Sequence, residues 1–418
     1  MPNERRLRVA ITARAVAPWH GRGGLERHVR DLVTHLAQAG ARVTLIVPPP
    51  RHGAEPDDHS QEEDGVDTVH VPYVTFPGAG RRGTTILDRD TAYPLFGWRA
   101  GREAVRLARA GRLDVVHGLG ASVLGYAAAC ERDRRLPPFV FNPQGLEEFG
   151  ATDPRAAGLK VRAYWPLQVI VRRCAREAAV VLATDRSLTP FVLQHLRIPA
   201  DRVAVIPNAV DIVRCDRLAG PEDGLIARAN QAWPESTIVF VSVGRLERNK
   251  GFHVMLDALT RLEGAESNWR WVLLGAGPFA RTFDELVLKA GLSSRVTRVS
   301  HASDPELHAW YEAADVFVHP TLYEGSSLVT LEAMAHRRPV LATRAGGLPD
   351  KVVPGVTGWL VEPGSADALA AGLRDAADAR SRWREMGAGG RSLAEKSFAW
   401  PRIADDLIQL YRDVIPSS

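Results

Sequence analysis

The stretch Tyr323–Met334, YEGSSLVTLEAM, places the tightest constraint on the fold. The residues before it, Asp315–Pro320 (DVFVHP), read as a short buried strand that ends at a proline. After it comes an apolar run, Leu328, Val329 and Leu331, led in by Ser326 and Ser327, which reads as a serine-capped helix. The order is therefore strand, turn, helix. A helix N-terminus offers unpaired N–H groups and a partial positive charge, both suited to phosphate. Glu324 lies in the turn, and Glu332 lies about two turns into the helix. Carboxylates accept hydrogen bonds from hydroxyls, and sugars and riboses are arrays of hydroxyls. The same residues also suit a capped surface helix with two solvated glutamates.

The strand, turn and helix pattern recurs along the chain. Leu7–Ala13 reads as a first strand, followed by a loop with Gly21, Gly23 and Gly24, a helix over Leu25–Ala39 and a strand at Val43–Val47. Further strands are expected at Asp114–His117, Phe139–Asn142, Val180–Ala183 and Val203–Ile206. In the second half they are expected at Thr237–Val243, Trp271–Gly277, Pro339–Ala342 and Gly358–Val361. Gly220–Glu235 reads as polar and loop-like or loosely helical, Ser365–Ala388 as helical and Trp400–Val414 as a terminal helix. His52–Gly65 reads as a polar surface loop. A chain of 418 residues exceeds one ordinary core and fits two domains of about 200 residues each.

Several loops carry chemistry at strand ends. Gly244-Arg245-Leu246-Glu247-Arg248-Asn249-Lys250-Gly251 follows a strong strand. It lacks the Gly-Lys-Ser/Thr of an NTPase phosphate loop, but its Arg245 and Lys250 can neutralise a departing diphosphate. GRGGLE at Gly21–Glu26 is not a dinucleotide fingerprint, and it suits either a simple turn or close approach to a diphosphate. Asp88-Arg89-Asp90 matches a metal-binding triplet, but no strand leads into it, so no metal is expected there.

These loops, taken in order, resemble family 4 retaining glycosyltransferases, which have the GT-B fold. Glu324-x7-Glu332 matches that family's signature, Gly244–Gly251 its GR-x4-KG loop, and Gly23-Gly24 its GG-x-E loop. Pro207–Asp211 (PNAVD) and Ala345–Asp350 (AGGLPD) match two more of its loops. The resemblance covers most of the chain. It implies two Rossmann-like α/β domains with parallel sheets facing a central cleft. An acceptor-binding domain would span 1–213 and a nucleotide-sugar-binding domain 214–398, with a helix over 399–418 crossing back. It places Arg245, Lys250 and Glu324 at the reacting centre. Gly23, Gly24, Gly244, Gly325, Ser326, Ser327, Leu328, Glu332 and His301 would lie around the donor, with Glu332 on the ribose. His301 stands where relatives commonly have glycine. The family's His-x-His becomes His117-Gly118-Leu119 here. His117 is then either a catalytic substitute or a satisfied histidine at a strand end. Asn142, Gln144 and Glu147 are expected at the acceptor, or else in an ordinary polar loop.

The implied activity is metal-independent, retaining transfer from a UDP- or GDP-linked sugar to a glycan, lipid or small-molecule hydroxyl, with no cofactor. An epimerase-like enzyme of the same fold and a non-catalytic nucleotide-sugar binder are the alternatives. A net charge of +4 suits anionic ligands and does not argue for nucleic acid. Three scattered cysteines suggest a reducing compartment, and a cytoplasmic location is expected. The basic, apolar Lys160–Arg176 suits either core packing or contact with an anionic membrane, and Pro166 should kink it or start a second helix.

Overall fold

The structure is a computed structural model that describes residues 6–21, 23–50, 64–74, 85–150, 157–262 and 268–416. The chain forms two compact units. One comprises residues up to Pro207 together with Trp400 onward, and the other comprises Asn208–Ala399.

The first unit is built on a seven-stranded parallel sheet. Its strands are β1 (Arg8–Thr12), β2 (Arg42–Val47), β3 (Val66–His70), β4 (Val115–Leu119), β5 (Phe139–Asn142), β6 (Val180–Ala183) and β7 (Val203–Val205). They lie in the order β3-β2-β1-β4-β5-β6-β7. The second unit has six parallel strands: β8 (Ile238–Val243), β9 (Trp269–Leu274), β10 (Val296–Val299), β11 (Val316–His319), β12 (Val340–Thr343) and β13 (Gly358–Val361). Their order is β10-β9-β8-β11-β12-β13. Strands buried on both faces read as continuous apolar runs, and β8, IVFVSV, is buried along its whole length. Both sheets reverse direction of winding once, between β1 and β4 and between β8 and β11. In open α/β sheets such switch points, at the carboxyl ends of the strands, hold ligands.

The edge strand β3 has no counterpart among the expected strands, because VDTVH mixes polar and apolar residues on an edge with little buried surface. Pro221–Ala229 is a regular helix whose first turn is held by Asp223 accepting from Gly220 N at 2.8 Å. The division between units falls at Pro207, ahead of residue 213. Val210 N donates to Phe398 O at 2.8 Å, and Asp211 caps the following helix Ile212–Leu218, so the PNAVD segment from Asn208 onward belongs to the second unit.

The terminal helix Trp400–Val414 belongs to the first unit and packs on the helix Gly24–Gln38. Trp400 stacks on His35 with ring centroids 5.3 Å apart, and Tyr411 reaches His117. The polar segment at 52–65 falls mainly outside the described residues.

Candidate functional site

Three loops meet at the switch point of the second sheet. The loop after β8 ends at Gly251, whose φ is +70°. A Cβ there would overlap the carbonyl oxygen of Pro320, so only glycine lets this loop lie against the one after β11. Leu322 N and Thr321 Oγ1 both donate to Asn249 O, at 2.8 and 3.1 Å, and stitch the two loops together. The loop after β12 adds Gly346, with φ +52°, where a Cβ would overlap Glu324 O. Its neighbour Gly347 N donates to Gly325 O at 3.0 Å.

This stitching places Lys250 against Glu324. Lys250 Nζ donates to Glu324 Oε2 at 2.8 Å, and His319 Nε2 donates to the same oxygen at 2.7 Å. Burial alone would raise the Glu324 carboxyl. The Lys250 charge and the His319 hydrogen bond outweigh it and hold Glu324 well below the usual carboxylate range. Glu324 is therefore an anion at neutral pH, in a half-buried turn, with a cation in contact. Arg245 extends into solvent, 74% exposed, and pairs with Glu247 at 2.9 Å.

The helix after this turn, Leu328–Ala335, is capped as expected: Ser327 Oγ accepts from Thr330 N at 3.3 Å. Glu332 is buried, and its Oε2 accepts from Tyr311 OH at 2.8 Å. Lys351, on the loop beyond β12, is also buried and donates to Ser326 Oγ at 3.1 Å. Asn208 Nδ2 donates to Ser326 O at 3.4 Å. Gly244 is held to β9 through Leu274 O at 3.0 Å, and His301, just past β10, is exposed.

Sequence reasoning singled out neither His319, Tyr311 nor Lys351. His319 closes a strand and carried the one available signal, a histidine five residues before Glu324. Tyr311 reaches the site from a segment with no motif of its own, whereas Lys351 directly follows the AGGLPD loop.

At the switch point of the first sheet lies a cavity of about 210 Å³. Arg14 follows β1 and Gln144 follows β5; with Arg89, Tyr93 and Glu148 they supply its polar lining, against Leu25 and Leu167. The guanidinium of Arg14 stands over the Tyr93 ring, 5.0 Å from its centroid, and Tyr93 OH donates to Leu119 O at 3.1 Å. Gln144 and Leu146 both have positive φ, 64° and 50°. Asn142 Oδ1 accepts from Gln144 N at 3.0 Å and holds that turn.

Two expectations need revision here, for Asn142 and His117. Asn142 is buried and shapes the loop without lining the cavity. Among the described residues Glu148 is the carboxylate that lines it, and the side chain of Glu147 falls outside them. His117 is not at the end of its strand. Gly118 and Leu119 continue β4, and the imidazole is 1% exposed with Nδ1 2.6 Å from Tyr411 OH. Burial lowers its pKa to about 3, with His28 adding to the effect. It is a neutral core histidine fastened to the terminal helix and does not line this cavity, as the reading of a satisfied histidine expects.

Gly23 caps the helix Gly24–Gln38 in extended geometry, and both glycines are exposed. Asp88-Arg89-Asp90 falls inside a short helix, Thr85–Asp90, where Arg89 turns to the cavity. The Lys160–Arg176 stretch divides into Ala157–Ala163 and Trp165–Glu177, with Pro166 at the start of the second helix. Arg172 donates to His195 O at 2.8 Å and Arg173 pairs with Glu131, so both serve packing. Trp165 and Val169 on the same helix are exposed. Among the described residues no helix is long and apolar enough to cross a membrane.

Comparison with known proteins matches residues 22–214 to Glycosyltransferase Family 4 and residues 225–392 to Glycosyl transferases group 1. The chain is 27% identical over 415 residues to MMP alpha-(1->4)-mannosyltransferase of Mycolicibacterium hassiacum, covering 94% of this chain and 95% of that protein. Among solved structures, sucrose-phosphate synthase from Thermosynechococcus elongatus superposes with a TM-score of 0.77 at 23% identity, covering 98% of this chain and 99% of that one. Anabaena Alr3699/HepE in complex with UDP and glucose does so with a TM-score of 0.72 at 19% identity, covering 98% and 100%.

Proposed function

Since the chain belongs to the group 1, family 4 glycosyltransferases and has the GT-B fold, we propose that it moves a sugar from a UDP- or GDP-linked donor to an acceptor hydroxyl, with retention of the anomeric configuration. The observation that carries this reading is the contact of Glu324 with Lys250 and His319 at the switch point of the second sheet. A strand-end anion and cation, locked by two loops, suit a substrate whose sugar carries hydroxyls and whose leaving group carries charge. The UDP and glucose bound by the Anabaena protein support the same class of donor.

In this reading the bond from the anomeric carbon to the diphosphate oxygen breaks, and the bond from that carbon to the acceptor oxygen forms on the same face. Arg245 and Lys250, with the amides at the start of Leu328–Ala335, neutralise the departing diphosphate. The acceptor proton passes to the departing phosphate oxygen, so no protein base is required. Glu324 lies by the transferred sugar and Glu332 grips the ribose. Tyr311, hydrogen-bonded to Glu332, sets that carboxylate's orientation. Cations and amides do the electrostatic work that a hard metal ion would otherwise do, so turnover needs neither Mg²⁺ nor Mn²⁺.

The cavity of the first unit takes the acceptor, a glycan, a lipid-linked sugar or a small molecule. Gln144 and Glu148 are suited to bind its hydroxyls, and Leu25 and Leu167 to pack on its apolar face. Exposed Trp165 and Val169 give this unit a means of peripheral contact with a lipid surface.

A panel of nucleotide sugars tests the reading. Acceptor-dependent release of the diphosphate from one donor, with an NMR coupling that shows the product anomer unchanged, is the expected outcome. Binding without release would leave a nucleotide-sugar binder, and an inverted anomer would refute retention.

A further inference from the structure

Behind the ribose carboxylate, three helices of the second unit bring together residues that the proposed chemistry does not use. Cys215 lies on Ile212–Leu218, His308 on Asp304–Ala313, and His336 just past Leu328–Ala335. All three are buried. The Cys215 sulfur and one ring nitrogen from each histidine lie within 4.8 Å of one another.

The hydrogen bonds fix which lone pairs point inward. His336 Nδ1 is 2.7 Å from Glu312 Oε1, and a carboxylate only accepts, so Nδ1 carries the proton. Glu312 Oε2 is held in turn by Arg338 at 2.9 Å. His336 Nε2 is left with its lone pair directed at His308 Nδ1, 2.7 Å away. A carboxylate behind an imidazole is the arrangement that orients histidines on metal ions and raises their basicity.

We propose that Cys215, His308 and His336 form a binding site for a soft divalent cation of the zinc class. One thiolate and two imidazoles favour such an ion over Mg²⁺ or Mn²⁺, which prefer oxygen ligands. On binding, Cys215 loses its thiol proton to solvent, and His308 shifts its proton from Nδ1 to Nε2. Two nitrogens each about 2.0–2.1 Å from a tetrahedral ion stand about 3.3 Å apart, so the rings separate by about 0.6 Å. The Tyr311 ring stacks on His336 with centroids 5.6 Å apart, and Tyr311 OH donates to Glu332. An ion here would brace the residue that orients the ribose carboxylate. The site is structural and does not depend on which sugar is transferred.

Cobalt is the probe, because a thiolate ligand gives Co²⁺ a charge-transfer band in the near ultraviolet and tetrahedral geometry gives it strong visible bands. The full chain is stripped with chelator and titrated with Co²⁺. One equivalent should bind with both sets of bands, and Zn²⁺ should displace it and raise Tm. Cys215→Ala should lose the charge-transfer band, whereas Cys130→Ala and Cys174→Ala, in the first unit, should keep it. Glu312→Gln should weaken the site by about 10- to 100-fold, the scale of losing the carboxylate behind a ligand. Absence of cobalt bands in the parent protein, or their persistence in Cys215→Ala, would overturn the assignment. The parent titration decides this even if a variant fails to fold.

Discussion

At the switch point of the second sheet, Glu324 meets the opposite charge of Lys250 at 2.8 Å and accepts a hydrogen bond from His319 at 2.7 Å. At the switch point of the first sheet, a cavity of about 210 Å³ sets Arg14, Arg89 and Glu148 against leucines. The first arrangement is made by loops that follow neighbouring strands, so its parts lie within short motifs. The second gathers side chains from the ends of β1 and β5 and from helices over residues 85–109 and 165–177. Charge that must meet a fixed group, a diphosphate, can be written into a motif. A surface that must fit one particular acceptor is assembled from many places.

Substitutions separate the two regions. The largest effect is expected at the paired charges. Lys250→Ala or Arg245→Ala should lower kcat by about 10²-fold or more, the scale of removing one partner of transition-state charge. Near-normal turnover in both variants would dissolve the contrast, since the second switch point would then be only a tightly packed turn.

Acid should act on the first unit. His117 and His28 are buried and neutral, with burial lowering their pKa values to about 3 and about 4 from the ordinary 6.5. Between those values and 6.5 the unfolded chain binds more protons, so their contribution is complete above 6.5 and is lost as pH falls. Lowering pH from 7 to 5 should cost about 2 kcal/mol per histidine. Denaturant melts of the parent and of His117→Leu should differ in this slope, and equal slopes would show that His117 does not carry it.

At the cavity, Glu148→Gln should raise the KM for acceptor by about tenfold, the loss of one charged hydrogen bond. The affinity for the free nucleotide should not change. A shift in nucleotide affinity instead would place Glu148 outside the acceptor site.

The smallest effect concerns the exposed aromatic. Trp165→Ser should reduce sedimentation with anionic vesicles at low salt by a few-fold, as apolar contact is lost. Arg172 and Arg173 are poorer targets for this test, because Arg172 is bonded to His195 O and Arg173 to Glu131. No sedimentation of the parent protein would favour an acceptor free in solution.

What the sequence made legible follows the same division. The strands β8 and β11 and the serine cap at Ser327 were readable, because continuous apolar runs and a capped helix are local signals. Lys250 and Glu324 were readable as motif positions, although their contact rests on Gly251 and its close approach to Pro320. His117 was open to two readings because a strand end shifts by two residues when Gly118-Leu119 pair with β5. Glu148 faces the cavity where Gln144 and Leu146 turn the chain with positive φ, and neither residue type announces that. Tyr311 reaches Glu332 and Lys351 reaches Ser326 across the fold, contacts that no spacing in the chain records.

The central claim is that the second unit divides the donor between two glutamates, and calorimetry with a free nucleoside diphosphate tests it most directly. Glu332→Gln keeps the shape and loses the anion, so affinity should fall by about ten- to a hundredfold, the worth of a charged hydrogen bond. Glu324→Gln should bind the diphosphate nearly as the parent does, because the proposed reading sets Glu324 by the sugar and not by the nucleotide. If both variants bind like the parent, Glu332 does not hold the ribose and the division of the donor between the two carboxylates is wrong.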